Sequence, residues 1–163
     1  MIPVTPEHLL PFETVAVDFI TKLPQSCKFD TIFTVTDHDC SKAAIFIPWQ
    51  ETTITAEGVA GLYLQHMYPR FGIPKKIISD RDTRFTSKFA KGLCQTLQIH
   101  QNISTAYHPR TDGRSERTNQ WLEQYLRFWC NEKQHQWFTM AEFAHNQWPS
   151  ATTEKTPFEL IMG

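Results

Sequence analysis

The sequence has no long hydrophobic run, which argues against a membrane-spanning helix. Nowhere in its 163 residues do eighteen apolar residues follow one another, although a helix needs about that many to cross a bilayer. The N-terminal segment, Met1-Ile-Pro-Val-Thr-Pro-Glu-His8, also lacks the basic and apolar regions of a signal peptide. We therefore expect a soluble protein without a visible targeting signal.

Cysteine is scarce and widely spaced, which argues against two kinds of small scaffold. The chain has four cysteines, Cys27, Cys40, Cys94 and Cys130, with no C-x-x-C pair among them. This spacing favours neither a zinc knuckle nor a compact disulfide framework, so we expect reduced thiols in an intracellular protein. Internal repeats and low-complexity segments are also lacking, and the length suits one domain with a full hydrophobic core.

The net charge is only −1, yet the charges are unevenly distributed. From Arg70 to Arg117 the chain carries ten Lys/Arg and four Asp/Glu, a net charge of +6. The remaining residues carry six Lys/Arg and thirteen Asp/Glu, a net charge of −7. Ordinary solvated charges explain any single basic residue, whereas a phosphate-facing surface better explains the stretch as a whole.

The hydrophobic periodicity predicts strands in the first third of the chain and helices alternating with strands afterwards. Strands are expected at 14–23, 30–36 and 43–48 as an antiparallel meander, and at 76–79 and 99–103. Helices are expected at 55–68, from an N-cap at Ser87, from Gly113 onward and at 136–148, with Pro69 ending the first. This order predicts an α/β fold with a mixed five-stranded sheet flanked by helices. Residues 1–11, with three prolines, are predicted to be a linker before a core of 12–163.

Three carboxylates occupy unlike contexts. Asp18 interrupts an apolar segment, Asp80 ends another, and Glu116 opens a helix after a loop that contains proline and glycine. A carboxylate in such a segment costs free energy unless it is paired, hydrogen-bonded or bound to a cation. If the two strands are neighbours, the helix can lean over their ends and bring all three groups together. Three converging carboxylates predict a divalent metal site.

Magnesium suits such a site because it is a hard ion that takes oxygen ligands and completes its octahedron with water and substrate phosphate. Two such ions can activate the attacking oxygen and stabilise the leaving oxygen during in-line displacement at phosphorus. We expect Asp18 to contact both ions, Asp80 one and Glu116 the other, with Mn²⁺ as a substitute for Mg²⁺.

Each carboxylate also has an explanation that involves no metal. Asp18 can be satisfied by a nearby lysine or a backbone amide, and Glu116 is a favourable charge in the first turn of a helix. Asp82 lies two residues from Asp80 and competes with it as a ligand, unless it forms a turn or begins a helix.

Beyond these carboxylates, the sequence resembles the catalytic core of retroviral and gypsy-type LTR-retrotransposon integrases, which belong to the ribonuclease-H-like nucleotidyltransferases. The matching motifs are Val17-Asp-Phe-Ile20, Ile73-Pro74, Ser79-Asp-Arg81, Phe85-Thr-Ser87, Tyr107-His-Pro109, Thr111-Asp-Gly113, Glu116-Arg-Thr-Asn-Gln120 and Thr156-Pro-Phe-Glu-Leu160. Each motif alone is weak, but together they are highly specific and cover 12–163.

The resemblance implies that Asp18, Asp80 and Glu116 are the metal-binding triad and that 104–113 is a mobile active-site loop. Members of the family use water to cleave a dinucleotide from element DNA ends, then join the new 3′-hydroxyl to target DNA. The implied partners are double-stranded DNA, both element ends and target, and further copies of the chain in a homodimer or higher oligomer. A nuclear location is also implied.

Candidate nucleic-acid contacts come from the basic stretch and the motif at the glutamate. They are His108, Arg110, Arg114, Arg117, Asn119 and Gln120. For His108, loop packing is the favoured explanation and a DNA contact is the alternative. The tryptophans Trp121, Trp129, Trp137 and Trp148 are expected in the core or on a dimer surface rather than as base-stacking platforms.

The sequence departs from retroviral relatives at two positions of the glutamate motif. Asn119 matches the usual asparagine, whereas Gln120 and Glu123 stand where lysines are common. Contact with the element end is therefore expected to be weaker or differently arranged. The zinc-binding N-terminal and basic C-terminal domains of a full integrase are not in this sequence, so we expect the core alone to bind DNA weakly and to integrate poorly.

Two alternative functions remain open at this level. A ribonuclease H shares the sheet but usually adds a carboxylate on the first helix, where Glu57 is the available acid. A domesticated or truncated core would instead dimerise and bind DNA or protein without chemistry.

Overall fold

The computed structural model describes residues 9–53, 55–107, 113–129 and 138–163, except for the side chains of 53, 113–116 and 129. Its centre is one five-stranded sheet with strand order β3-β2-β1-β4-β5. The strands are β1 (Thr14–Ile20), β2 (Thr31–Asp37), β3 (Ala44–Trp49), β4 (Lys76–Ser79) and β5 (Ser104–Tyr107). The first three pair antiparallel, while β1, β4 and β5 run parallel. The predicted mixed sheet and its antiparallel meander are confirmed.

Helices cover both faces of this sheet. They are α1 (Ala56–His66), α2 (Tyr68–Phe71), α3 (Thr83–Leu97), α4 (Gly113–Trp129), α5 (Phe138–Asn146) and α6 (Pro157–Met162). On one face, α1 and α3 pack with Val15, Val17 and Phe19 of β1 in the larger core cluster. On the other face, α4 and α5 pack with Ile20 in the smaller one. The alternation of side chains along β1 therefore separates two cores.

Several helix and strand ends differ from the predictions. β1 ends at Ile20 rather than at 23, and Lys22 adopts a left-handed φ of 60° just beyond it. Pro69 does not simply end a helix: it lies in the first turn of α2, where its missing N–H costs nothing. The predicted N-cap at Ser87 is wrong, because α3 begins at Thr83 and Asp82 accepts a hydrogen bond of 2.8 Å from the Phe85 amide.

The fifth strand lies later in the chain than predicted. The segment 99–103 is not a strand, and β5 occupies Ser104–Tyr107, where a loop was expected. Its backbone pairs with β4, and Ser79 lies opposite Tyr107. Because β5 is an edge strand whose side chains are mostly exposed, it carries no apolar alternation from which its position can be read.

Two helices approach closely over the larger core. A Cβ added to Gly92 of α3 would lie 3.1 Å from the Cβ of Ala60 in α1, so glycine keeps this packing tight. Nearby, Tyr63 is fully buried with its ring at the edge of Phe89. Its hydroxyl has no hydrogen-bond partner among the residues that the structure describes. Burial raises the pKa of this hydroxyl, so it stays protonated.

Side chains of α5 cover the outer edge of the sheet. Asn146 accepts a hydrogen bond from the Ala44 amide and donates one to the Ala44 carbonyl, both at 2.9 Å. Glu142 accepts from the Phe46 amide at 3.2 Å and pairs with Arg70 at 3.5 Å. Backbone groups of the edge strand β3 are thus satisfied by α5 rather than by another strand.

The described residues include no helix that is long and apolar enough to cross a membrane. Cys27, Cys40 and Cys94 are free thiols, and Cys130 lies outside the described residues.

Candidate active site

Asp18 lies in the middle of β1, on the sheet face that α4 covers. Its Oδ1 accepts a hydrogen bond of 2.8 Å from the Phe19 amide, and its Oδ2 accepts one of 2.6 Å from the Asn119 amide group. The Thr34 hydroxyl on the neighbouring strand donates to the Asp18 carbonyl at 3.2 Å. These contacts fix a half-buried carboxylate in one orientation.

Asp80 follows directly after β4, the strand beside β1. The two strands are parallel, and Val17 of β1 lies opposite Ser79 of β4. The next residue of each chain segment, Asp18 and Asp80, therefore follows at the same height along the sheet. Neighbouring strands are about 4.8 Å apart. The predicted metal site requires these two strands to be neighbours, and the structure shows that they are.

Glu116 lies in the first turn of α4. Its side chain is outside the described part of the chain, but its backbone position is informative. Residues three apart on a helix share a face, and Asn119, three residues further on, contacts Asp18. The first turn of α4, which contains Glu116, is therefore followed within one turn by the contact between this helix and β1.

The donor set suits a hard cation. Asp18 in β1 and Asp80 directly after the neighbouring strand β4 both carry carboxylates, and Mg²⁺ is commonly held by one or two carboxylates together with water and phosphate oxygens. Among the side chains that are described, no three His, Cys, Asp or Glu residues are grouped to hold a metal. The side chain of Glu116, the expected third ligand, is not among those described.

The candidate nucleic-acid contacts are described unevenly. His108 and Arg110 lie outside the described residues, as does the side chain of Arg114. Arg117 and Gln120 are exposed on α4, whereas Asn119 is half-buried against Asp18. Within the basic stretch, Arg84, Lys88 and Lys91 lie on α3, which packs on the face of the sheet opposite α4.

Arg81 makes a contact near the two aspartates that the sequence did not reveal. Its guanidinium lies 5.0 Å from the ring centre of Phe19 and 4.6 Å from that of Phe85. Phe19 follows Asp18 and Arg81 follows Asp80, so this cation–π contact joins the residues next to both aspartates. Two phenylalanines near an arginine were visible in the sequence, but nothing showed that they would meet.

Glu57 is exposed in the first turn of α1. That helix packs on the face of the sheet opposite α4, away from the Asp18 side chain. Asp82, the other competing acid, is used as the N-cap of α3.

Comparisons with known proteins agree with this geometry. No protein-family model matches the chain. The chain is 36% identical over 162 residues to the Transposon Tf2-3 polyprotein of Schizosaccharomyces pombe, a match that covers 98% of the chain and 12% of that polyprotein. The chain thus spans about an eighth of the length of this relative.

Solved structures show the same fold at lower sequence identity. The HTLV-2 integrase catalytic core domain, in complex with magnesium in a trimeric form, has a TM-score of 0.65 and 22% identity, over 93% of this chain and 97% of that one. Its dimeric form has a TM-score of 0.64 and 19% identity, over 94% and 97%. Both are ribonuclease-H-like cores. Over almost its full length the chain is therefore similar to part of a transposon polyprotein, and it has the fold of retroviral integrase catalytic cores.

Proposed function

We propose that this chain is the metal-dependent polynucleotidyl transferase core of a gypsy-type LTR-retrotransposon integrase. It processes the 3′ ends of element DNA and joins them to target DNA. The observation that carries the proposal is the parallel pairing of β1 with β4, which sets Asp18 beside Asp80 on the face that α4 covers.

The three carboxylates Asp18, Asp80 and Glu116 would hold divalent ions, with Mg²⁺ as the physiological metal and Mn²⁺ as a substitute. When bound, two such ions supply activation of the attacking oxygen and stabilisation of the leaving oxygen. The protein's own contribution is orientation. Asn119 holds one oxygen of Asp18, and the Phe19 amide holds the other, so the carboxylate does not have to reorganise when a phosphate arrives.

DNA is the proposed substrate, bound through its phosphates with little base specificity. Arg117 and Gln120, exposed on α4 next to Asn119, are the described residues best placed for this contact. His108, Arg110 and Arg114 are proposed to contribute from the segment before them. Because the substrate is chromosomal DNA, we propose that the protein acts in the nucleus.

We also propose a homodimer or higher oligomer. The HTLV-2 core occurs in dimeric and trimeric forms. On this chain, Met140 and Phe143 lie one turn apart on α5 and are 56% and 57% exposed. Such apolar side chains on one helix face are suited to contact with another subunit.

The catalytic core is proposed to comprise 12–163, with 1–11 as a linker. Phe12 is only 1% exposed and its ring centre lies 4.1 Å from that of Phe71, which supports including Phe12 in the core. Residues 1–8 lie outside the described residues.

The rival functions are less well supported. A ribonuclease H would need a carboxylate from the first helix, and Glu57 lies on the other side of the sheet. A domesticated core without chemistry would not need hydrogen bonds to both carboxylate oxygens of Asp18.

The test is disintegration of a branched DNA with magnesium, comparing the native chain with Glu116→Gln. Glu116→Gln removes one negative charge from the proposed cage, so we expect a loss of more than about 100-fold. Glu123→Gln, on the same helix, is the matched control and should retain activity. Equal activity of the native chain and Glu116→Gln would refute the catalytic role.

Calorimetric titration with magnesium or manganese tests the cage separately. Binding that is lost in Asp18→Asn and Asp80→Asn supports it. No binding at millimolar metal, even with DNA present, would remove its basis.

A further inference from the structure

A cavity of about 300 Å³ lies beside the proposed active site, between the sheet, α4 and the segment after α5. Ala16, which lines it, lies two residues before Asp18 on the same face of β1. Arg117 also lines it and directly follows Glu116. The sheet residues in its wall come from β1 and β2, so the cavity lies on the side of β1 away from Asp80.

Two permanent cations face this cavity. Arg117 is an exposed side chain of α4, and Lys42 reaches in from the turn between β2 and β3. The Lys42 ammonium donates a hydrogen bond to the His38 carbonyl oxygen. Asp37 is also in the wall, but its carboxylate is fully buried and accepts hydrogen bonds of 2.7 Å from the Ser41 amide and 2.6 Å from the Ser41 hydroxyl. The accessible charge is therefore positive.

Aromatic rings form the other part of the wall. Trp121 stacks on Tyr125 with ring centres 5.2 Å apart and meets the edge of His145 at 5.0 Å, so neighbours on two sides fix its ring. Trp148 lies at the opening and is 75% exposed. Trp121 packs against the smaller core cluster, as expected from the sequence, and both Trp121 and Trp148 also line the cavity that contains Arg117 and Lys42.

We infer that this cavity binds one unpaired nucleotide of the DNA substrate, with its base against Trp121 and Trp148 and its phosphate at Arg117 and Lys42. Indole faces stack with any base, and cations beside them hold the backbone. A volume of about 300 Å³ is at the lower end of small-molecule sites and accommodates one nucleotide, not a stack of base pairs. The inference rests on DNA being the substrate proposed above, and it adds a place for a base that has left the duplex.

The first experiment titrates the native chain with deoxythymidine 5′-monophosphate and follows the indole N–H signals by NMR. Trp148→Phe identifies its own signal among those of the five tryptophans. Ring-current shifts are expected at the Trp121 and Trp148 signals, and none with deoxyribose 5-phosphate, which lacks the base. If neither signal moves at millimolar nucleotide, the inference is overturned.

The second experiment compares DNA hairpins that carry a single-stranded extension with the same hairpins whose extension is abasic, without divalent metal. The base should tighten binding by about 5- to 150-fold, the range that stacking one base supplies. Trp148→Ala should abolish this preference, and Phe128→Ala, which removes a ring that is 84% exposed elsewhere on α4, should preserve it. A preference that survives Trp148→Ala, or no preference in the native chain, would overturn the inference.

These outcomes are separable from failure of the proposed function. Binding is measured without chemistry, whereas the proposed function is tested by the loss of activity in Glu116→Gln. A base preference in a chain whose activity is independent of Glu116 would leave the cavity assigned and the catalytic proposal refuted.

Discussion

The amide group of Asn119 donates a 2.6 Å hydrogen bond to Asp18 across 101 positions of sequence, tying α4 to the middle of β1. The side-chain oxygen of Asn119, Oδ1, in turn accepts a hydrogen bond of 3.5 Å from the Thr34 hydroxyl. The same residue therefore positions a proposed metal ligand and aligns the helix that carries another, Glu116.

Asn119→Ala should lower the disintegration rate by about 10- to 100-fold, because partners that orient a metal ligand have effects of that size. Asn119→Asp should be worse, since it sets a second carboxylate against Asp18. Gln124→Ala, an exposed change on the same helix, is the control. Native rates in Asn119→Ala would show that Asp18 needs no orientation from α4.

Arg81→Gln should destabilise the fold by about 1 kcal/mol, the usual contribution of a cation–π contact, and should also slow catalysis. The reason is that Phe19 and Phe85 lose the group that joins them beside both aspartates. Chemical denaturation and disintegration rates are compared with those of Arg84→Gln, an exposed arginine of α3. If the two variants behave alike, the cation–π contact has no role at the site.

Asn146→Ala should destabilise the protein by about 2–4 kcal/mol, because it leaves the buried N–H and C=O of Ala44 without partners. The measurement is urea unfolding at neutral pH. Gln147→Ala, on the exposed neighbour, should stay within about 0.5 kcal/mol of the native chain. A small effect at Asn146 would mean that water or another group replaces its amide.

Tyr63→Phe should leave the free energy of unfolding unchanged or raise it by up to about 1 kcal/mol. A buried hydroxyl without a partner loses its hydration on folding and gains nothing in return. Tyr63→Ala, which empties the ring's place against Phe89, should instead cost about 3–5 kcal/mol. Destabilisation by Tyr63→Phe would reveal a partner for the hydroxyl.

Stability should fall as the pH drops below about 6.5, in part because of His145. Burial lowers the pKa of this imidazole in the folded protein, so the unfolded chain takes up the proton first. The stability that neutral His145 contributes is therefore fully present above the pKa of the imidazole in the unfolded chain. It is lost as the pH falls toward the lower pKa of the imidazole in the folded protein. His145→Gln should reduce the slope of stability against pH between 7.5 and 5.5, measured by urea unfolding.

The hydrophobic pattern was sufficient to predict elements whose own residues show a clear periodicity or boundary. The strand Lys76–Ser79 is a short apolar run that ends in a charge, and α4 begins at Gly113 as predicted. The pattern failed at β5, whose four residues are ordered by backbone pairing to β4 and are mostly exposed.

Contacts between side chains that are far apart in the sequence could not be predicted either, but for a different reason than β5. The spacing of Glu116 and Asn119 showed that they share a helix face, but not that this face crosses β1 at Asp18. The cavity beside Trp121 and Lys42 likewise exists only because α4 and the turn after β2 meet. Such sites depend on packing angles, which periodicity does not encode.

The hydrogen bonds between α5 side chains and the backbone of β3 also affect the tendency of the protein to aggregate. An uncovered edge strand is a template on which another chain can add a strand. Here Asn146 and Glu142 occupy the Ala44 and Phe46 groups that such a strand would use, so α5 must detach first. Conditions that loosen α5 without unfolding the sheet should therefore be those under which the protein begins to precipitate.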